Sequence, residues 1–366
     1  NKLERLEKAI HEEAGEEFNV RSFKQLGDIL FEKLGLTLPD GSVKKTKTGY
    51  STNYEVLSKL KEVHPIAKKI LDYREAHKIY STYVKPYMSY LDEKQRLYTY
   101  FDYCGTSTGR LSSRDPNLQN IPIKGEWGNK MRKLFVPRKG YKIMSADYSQ
   151  MELRLLAQFS EDETLNKIFA DDRDIHTETA IHLFGMSDKK TRNFAKSINY
   201  GIVYGLSPYG LSQQLEIELS EAKDYIERYF DRFQGVEKYI NEQITKAKRN
   251  GYVSVISKRR RYVRGINSSN RFRREAAERI AVNTPLQGSS AEILKVVMNN
   301  IHKKIKNNEN IYLVSQIHDE LLFEVKEGEE KRFKKLVKDI MEDIPFLIKV
   351  KMKVDISTGN NWWEAH

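Results

Sequence analysis

Apolar positions at Leu3, Leu6 and Ile10, and again at Phe23, Leu26, Ile29 and Leu30, recur with a helical period inside a Lys/Glu-rich stretch. Gly15 interrupts them, so two helices are predicted over residues 2–35. A basic, Gly-containing stretch from Pro39 to Thr52 breaks the pattern, and a third helical segment runs from Tyr54 through Tyr80, broken near Pro65. From Leu97 the chain turns to Thr, Tyr, Gly, Ser and Asn. The run Thr108-Gly109-Arg110-Leu111-Ser112-Ser113 leads into Asp115-Pro116-Asn117-Leu118-Gln119-Asn120, which is turn chemistry. Tyr141 to Ala146 reads as a strand ending at Asp147, and Met151, Leu155, Leu156 and Phe159 mark the helix after it. Helices dominate to about Arg249. The closing third holds a basic loop, a helix from Phe272 towards Leu286, another through Ile301, and a hairpin whose apolar arms flank His318 and Asp319. No internal repeat or low-complexity tract interrupts this order.

Charge narrows the choice of partner. The chain has 366 residues, with 63 Lys+Arg against 51 Asp+Glu and a net charge of +12, which favours a polyanion. Solvated lysines are the bland alternative. The excess clusters at Lys44 to Lys47, Lys258 to Arg264 and Arg271 to Arg274, and clusters favour phosphate contacts. The length allows two or three subdomains. One cysteine excludes an internal disulfide and a Cys-rich zinc site, and Cys104 is expected as a small semi-buried residue in a reducing compartment. No apolar run reaches membrane-spanning length. Because the chain begins at Asn1 rather than Met, it reads as a fragment or processed product.

Two carboxylates at strand edges, Asp147 and Asp319, form a pair able to hold two magnesium ions. Taken singly, each is an ordinary turn or cap residue. Between them Arg192, Lys196, Tyr200 and Tyr204 are spaced by four, so one helix carries them along a slowly turning face. An amphipathic surface helix explains the cations but not the aligned tyrosines, whereas a nucleoside triphosphate needs charge at its phosphates and a flat surface at base and sugar. Glu320 adjoins Asp319 but should point to the opposite face of a strand, so it ranks below the aspartates. Ser149-Gln150-Met151-Glu152 has the form of a capping box, in which Glu152 returns to the cap amide. The acidic group Glu12, Glu13, Glu16 and Glu17 is better read as a solvated helix end than as a metal site.

These segments resemble the three polymerase motifs of the family A DNA polymerases, the bacterial DNA polymerase I family. The resemblance covers essentially the whole chain, from Gly15-Glu16-Glu17-Phe18-Asn19 to the terminal Trp362, Glu364, Ala365 and His366. It implies an α+β right-hand polymerase fold, with a mainly antiparallel palm sheet and helical fingers and thumb. The thumb (partial) would span 1–90, the palm 91–153 and 287–366, and the fingers 154–286.

The resemblance also assigns roles. It makes Asp147, Asp319, Glu320 and Lys196 catalytic, with Asp147, Asp319 and the Tyr148 carbonyl holding two Mg2+ ions, for which Mn2+ substitutes. Arg192 and Lys196 would grip the triphosphate, His176 would touch its phosphates, Tyr200 would lie against sugar and base, and Tyr204 near the templating position. Gln150 and Glu152 join the nucleotide site, Glu152 blocking a ribose 2′-hydroxyl; this sugar gate and the capping box are compatible. Arg110, Asn117, Gln119 and Asn120 match minor-groove and primer contacts. Arg279, Asn283 and Gln287 match template and primer-side contacts, and His318 approaches the primer end.

The implied partners are primer-template DNA and deoxynucleoside triphosphates, with no membrane, acting as a monomer. Upstream proofreading and 5′ nuclease domains would be missing from the fragment, which would then lack proofreading. The location would be a bacterial cytoplasm or nucleoid, with an organellar or viral source open. The sequence departs from the family's polar Phe-Asn-Gln-Thr-like stretch, reading Phe101-Asp102-Tyr103-Cys104. Two other readings compete: a non-catalytic DNA-binding scaffold, against which Asp147, Asp319, Arg192 and Lys196 stand, and a single-subunit RNA polymerase, against which Glu152 stands.

Overall fold

The Lys/Glu-rich opening stretch folds into α1 (Lys2–Ala14) and α2 (Phe23–Gly27), and α2 loosens into a π-helical segment over Asp28–Lys33. A computed structural model describes residues 2–123, 125–345 and 349–366. It divides into two units, Asn1–Tyr100 with Ile121–Asn129, and Phe101–Asn120 with Lys130–His366.

In the first unit a short ribbon, β1 (Lys45–Thr46) and β2 (Gly49–Tyr50), follows α2. The expected third helical segment is two helices, α3 (Tyr54–Leu60) and α4 (Pro65–Ile79). Pro65 begins α4 because a first-turn proline gives up an N–H that has no partner there anyway. The chain continues through a π-helical turn, Tyr80–Val84, into α5 (Lys85–Tyr90). The buried faces of these helices meet at Ile10, Leu26, Leu30, Leu57 and Ile70. Glu13 pairs with Lys69 and Glu16 with Lys33, so those acids of the group at the end of α1 are surface ion pairs.

The Thr/Tyr/Gly/Ser region contributes only β3 (Tyr100–Asp102) and β4 (Ser112–Arg114), and α6 (Gly125–Lys133) follows. Cys104, expected semi-buried, is exposed, since the loop after β3 follows turn geometry rather than packing against a core.

The second unit is built on β5 (Tyr141–Tyr148). Its even-numbered residues Met144, Ala146 and Tyr148 enter the main core, while Ser145 and Asp147 face the other way. Seven helices follow: α7 (Met151–Ser160), α8 (Glu163–Ala170), α9 (Ile175–Phe184), α10 (Lys189–Val203), α11 (Pro208–Leu215), α12 (Leu219–Arg232) and α13 (Gln234–Asn250). A hairpin of β6 (Tyr252–Ser254) and β7 (Arg260–Tyr262) leads into α14 (Arg271–Ile305). The chain closes with β8 (Ile311–Ile317), β9 (Glu320–Lys326), α15 (Glu330–Glu342) and β10 (Val354–Gly359). The sheet order is β10-β5-β9-β8, antiparallel throughout, as the expected fold class requires.

The two helices expected across 272–301 are one, α14, and the expected boundary at 286/287 lies inside it. Pro285 removes one backbone hydrogen bond, but Thr284, Leu286, Gly288 and Ser289 around it are buried, and that packing outweighs a single lost bond. Among the described residues no helix is long and apolar enough to cross a membrane.

Candidate active site

The antiparallel register concentrates acid at one end of the sheet. Asp147 on β5 stands opposite Glu320 on β9 and opposite Asp355 on β10, and Asp319 occupies the turn just before β9. Like charges in register repel, so a fold that keeps them must satisfy or use them. Glu320 is satisfied. Its Oε1 accepts from Ser145 Oγ at 2.6 Å and Trp362 Nε1 at 3.0 Å, with His366 Nδ1 at 3.5 Å. Burial works against its charge, but these donors hold its carboxyl below the usual carboxylate range. Glu320 thus shares Asp147's face yet is turned into the protein and does not line the cavity beside it.

Asp147 is in the opposite condition. Burial first, and then the charges of Glu320 and Asp319, push its carboxyl up to about 7. A carboxylate so placed would be stabilised by a cation, and carboxylate oxygens beside the backbone of Tyr148 suit a hard divalent ion with oxygen ligands. Asp319 is approached by Ser290 Oγ at 3.4 Å and by Arg110 Nη2 at 3.9 Å. Two neighbours of these acids, Gln150 (φ +55°) and His318 (φ +53°), occupy the left-handed region that side chains avoid, and both border the cavity.

The cavity holds about 440 Å³, and its opposite wall is α10. Asp188 starts this helix with a capping box shared with Thr191, and Ala195, Ile198 and Ile202 bury one face against the unit's core. The other face presents Arg192, Lys196 and Tyr200 to the cavity, with Tyr204 just past the last turn. The rings of Tyr200 and Tyr204 stack at 6.4 Å and 16°. Arg192 makes a two-pronged contact with Asp174, Nε to Oδ1 at 3.2 Å and Nη2 to Oδ2 at 2.8 Å. Despite burial, this contact and the Thr177 N–H hold Asp174 near 2.

His176 is buried, and burial, aided by Arg192 and Lys196, drops its imidazole to about 4, so it is neutral at ordinary pH. Asn199 Nδ2 donates to His176 Nδ1 at 3.1 Å, which leaves the proton on Nε2. Burial and the nearby Glu152 raise the Tyr200 phenol to about 12.

Glu152 corrects one expectation. The N-cap of α7 is Gln150, without a side-chain cap, and the Ser149 amide donates to the Lys353 carbonyl, so no capping box forms. Instead Glu152, 5 % exposed, accepts from Arg110 Nη2 at 2.6 Å and from the Tyr204 hydroxyl. The physical reason is position: these cavity donors are stronger partners for a buried carboxylate than an amide already paired across to the β10 approach. Burial raises its carboxyl, and Tyr204 and Arg110 oppose that rise.

The other expected residues lie outside this cavity. Gln119 is tied to β8, donating from Nε2 to the Gln316 carbonyl at 3.2 Å and to Gln316 Oε1 at 3.0 Å. Asn117 Oδ1 accepts from the Gln119 amide, and Asn120 is exposed on the same loop. Arg279, Asn283 and Gln287 follow one another along α14, with Arg279 against Gly205 and the buried Asn283 Oδ1 without a partner among the described residues. Sequence reasoning missed Asp355, which sits at an outward position of the alternating β10 and so carries no distinguishing signal, and Asp174, two residues before His176. It also missed Arg132, fully buried with its guanidinium 4.0 Å from the Trp362 ring, for which no sequence signal exists.

The sequence profile of DNA polymerase family A matches residues 1–364. The chain is 47% identical over 371 residues to DNA polymerase I of Bacillus subtilis (strain 168), covering 100% of this chain and 42% of the relative. It is 45% identical over 371 residues to DNA polymerase I of Caldicellulosiruptor bescii, covering 100% of this chain and 43% of that one. The chain therefore spans about two fifths of the length of these relatives. A solved structure, the POL domain of Pol1 from M. smegmatis in complex with DNA primer-template and dNTP, superposes with a TM-score of 0.91 at 40% identity, over 100% of this chain and 65% of that one.

Proposed function

Because this chain belongs to DNA polymerase family A, we propose that it extends a primer 3′ end on a DNA template with deoxynucleotides, by two-metal nucleotidyl transfer. One observation carries the reading: Asp147 and Asp319 face the Arg192, Lys196 and Tyr200 side of α10 across a single cavity. Phosphoryl transfer needs alignment and charge neutralisation more than covalent help, and acids for metals opposite cations for phosphates are that division of labour.

Asp147, Asp319 and the Tyr148 carbonyl would hold two Mg2+ ions, or Mn2+ in their place. Such ions, when bound, supply activation of the primer hydroxyl and neutralisation of the triphosphate and departing pyrophosphate. Lys196 and Arg192 bind the triphosphate, Arg192 turning part of its fork from Asp174 to phosphate. The neutral His176 offers an N–H to a phosphate oxygen. Tyr200 lies on the sugar and base, while Glu152, held by Arg110 and Tyr204, closes the space beside C2′. Gln150 borders the same site. Arg110, Asn117, Gln119, Asn120, Arg279, Asn283, Gln287 and His318 contact primer and template, with Gln119 acting mainly by fixing its loop to β8.

In this reading residues 1–90 are a partial thumb, 91–153 and 287–366 the palm, and 154–286 the fingers. The protein works as a monomer in a bacterial cytoplasm or nucleoid, in replication or repair. Its carboxylate cavity is assigned to synthesis, so a mismatched 3′ end should persist in the presence of metal. Metal-dependent primer extension tests the main reading. Asp147→Ala and Asp319→Ala should each abolish extension while sparing primer-template affinity, because the metals act on charge developing in the transition state. Substantial extension by either variant, or faster use of ribonucleotides than deoxynucleotides by the unaltered chain, refutes it.

A further inference from the structure

Residues 258–274 carry eight Lys or Arg and no Asp or Glu, and none of them lines the cavity of the catalytic acids. Half of that charge is engaged within the protein. Arg259 holds Glu292 and the Thr108 carbonyl, Arg261 holds Thr284, Arg271 holds Glu275, and Arg274 holds the Ser268 carbonyl. Lys258, Arg260, Arg264 and Arg273 remain exposed.

The β6–β7 hairpin sorts its side chains by strand period. Val253 and Val263 turn inward to pack with Ala277 and Ala281 of α14. The outer face keeps Tyr252, paired in register with Tyr262, and Arg260, with Arg264 continuing the same alternation. The two tyrosine rings meet edge to face at 6.0 Å, and the Arg260 guanidinium lies 4.6 Å over Tyr252. Tyr262 is 70 % exposed and nearby in sequence Phe272 is 82 % exposed. A cationic face kept for solubility gains nothing from exposed rings, and a surface for duplex phosphates needs only the cations. Flat rings interleaved with guanidinium groups match unpaired bases and their phosphates.

The hairpin's placement extends the match. At its tip the Ile256 amide donates to Ser289 Oγ at 2.9 Å and Arg259 reaches the Thr108 carbonyl at 2.8 Å, beside the Thr108-Gly109-Arg110 loop whose arginine borders the cavity. From there the outer face runs back along β7 through Arg260 and Tyr262 to the exposed Arg264. We propose that this outer face, with Tyr252, Arg260, Tyr262 and Arg264, binds the unpaired template strand as a surface separate from the catalytic cavity. The identity of that strand rests on the polymerase reading; the single-strand chemistry rests on the hairpin.

The test uses the chain with two fluorescent primer-templates of identical duplex, one with a two-nucleotide and one with a twelve-nucleotide template overhang. The unaltered protein should bind the long overhang about tenfold more tightly, within the range that base–aromatic stacking gives. Tyr262→Ala and the double variant Arg260→Ala/Arg264→Ala should lose that advantage while keeping short-overhang affinity and insertion of the next nucleotide. For the double variant the salt dependence on the long overhang should flatten by about 1.4 in log–log slope, two single-strand phosphates at roughly 0.7 each. Equal affinity of the unaltered protein for both substrates overturns the proposal, as does an equal loss by the variants on both, which would make the face a duplex contact. Extension of the short-overhang substrate reports the polymerase reading independently, so a protein that extends it without overhang dependence loses only this proposal.

Discussion

At the scale of single residues, the chemistry is set by which carboxylates find partners. Among the described residues none donates a hydrogen bond to the Asp147 carboxyl, and the sign of its effect on stability follows. Its folded value near 7 lies above the ordinary 3.8, so the folded state holds a proton that the unfolded chain releases. Stability therefore falls as pH rises between those values and levels off above them. Without divalent metal, Asp147→Asn should be more stable than the unaltered protein by roughly 2–4 kcal/mol at pH 8, with the gap closing by pH 4. Thermal melts across pH measure it, and added Mg2+ with nucleotide should narrow the gap at pH 8; a gap that is constant with pH would refute the assignment.

Glu152 makes the complementary case. Its partners are Arg110 and Tyr204 rather than the cap amide, so Glu152→Ala should leave the start of α7 intact and raise ribonucleotide insertion relative to deoxynucleotide by about tenfold or more. Single-turnover insertion of both sugars checks this, and an unchanged ratio removes the gate. The four-residue spacing of Arg192, Lys196, Tyr200 and Tyr204 was legible in the sequence because helix geometry alone fixes a shared face. The partners of Glu152 were not, since they come from residues 42 and 52 positions away.

Tyr200 carries a hydroxyl on the cavity wall that the proposed nucleotide sugar would meet. A dideoxynucleotide lacks the 3′-hydroxyl, and a phenol beside the sugar restores part of the missing hydrogen bonding. A hydrogen bond to a charged group is worth about 1.5–3 kcal/mol, enough for tenfold selectivity or more. Tyr200→Phe should then restore discrimination against dideoxynucleotides while ordinary synthesis continues. Equal deoxy-to-dideoxy preference ratios in both proteins would leave the ring only a stacking role.

At the scale of elements, the sequence led furthest where one period ran without interruption. The β5 strand, the β8–β9 hairpin around His318-Asp319 and the helical run to Arg249 all follow their patterns. It misled across 272–301, where two helices were expected and burial on both sides of Pro285 carries one through. The same stretch explains Gly288. A Cβ there would lie 2.4 Å from Val255 Cγ1 and 3.2 Å from the Thr108 carbonyl oxygen, so α14, the β6–β7 hairpin and the Thr108 loop meet at a point that admits only hydrogen. Gly288→Ala should cost about 1–3 kcal/mol by overpacking and slow extension more than it weakens DNA binding, because Arg110 follows the displaced loop. Chemical denaturation paired with kcat and Kd measurements would reveal a purely structural effect as equal loss in neither or both kinetic terms.

At the scale of the whole molecule, the net charge of +12 has to be weighed against where it resides. Spread evenly, such charge would act mainly as self-repulsion and leave only weak, unspecific attraction to DNA. Here part of it is gathered on one face of α10 and over residues 258–274, a segment whose sequence has no Asp or Glu. A polyanion laid along these surfaces exchanges its counterions for fixed cations, and that exchange is undone by added salt. With roughly six to ten phosphates engaged, affinity for a primer-template should fall about a thousandfold or more between roughly 50 and 200 mM salt, a log–log slope of about −5 to −9. The loss should be similar for Asp147→Ala, whose deleted carboxylate is proposed to meet metal rather than phosphate. Equilibrium titrations over that range decide the matter: a slope near zero would mean that the clustered charge serves solubility alone, whatever the catalytic acids do.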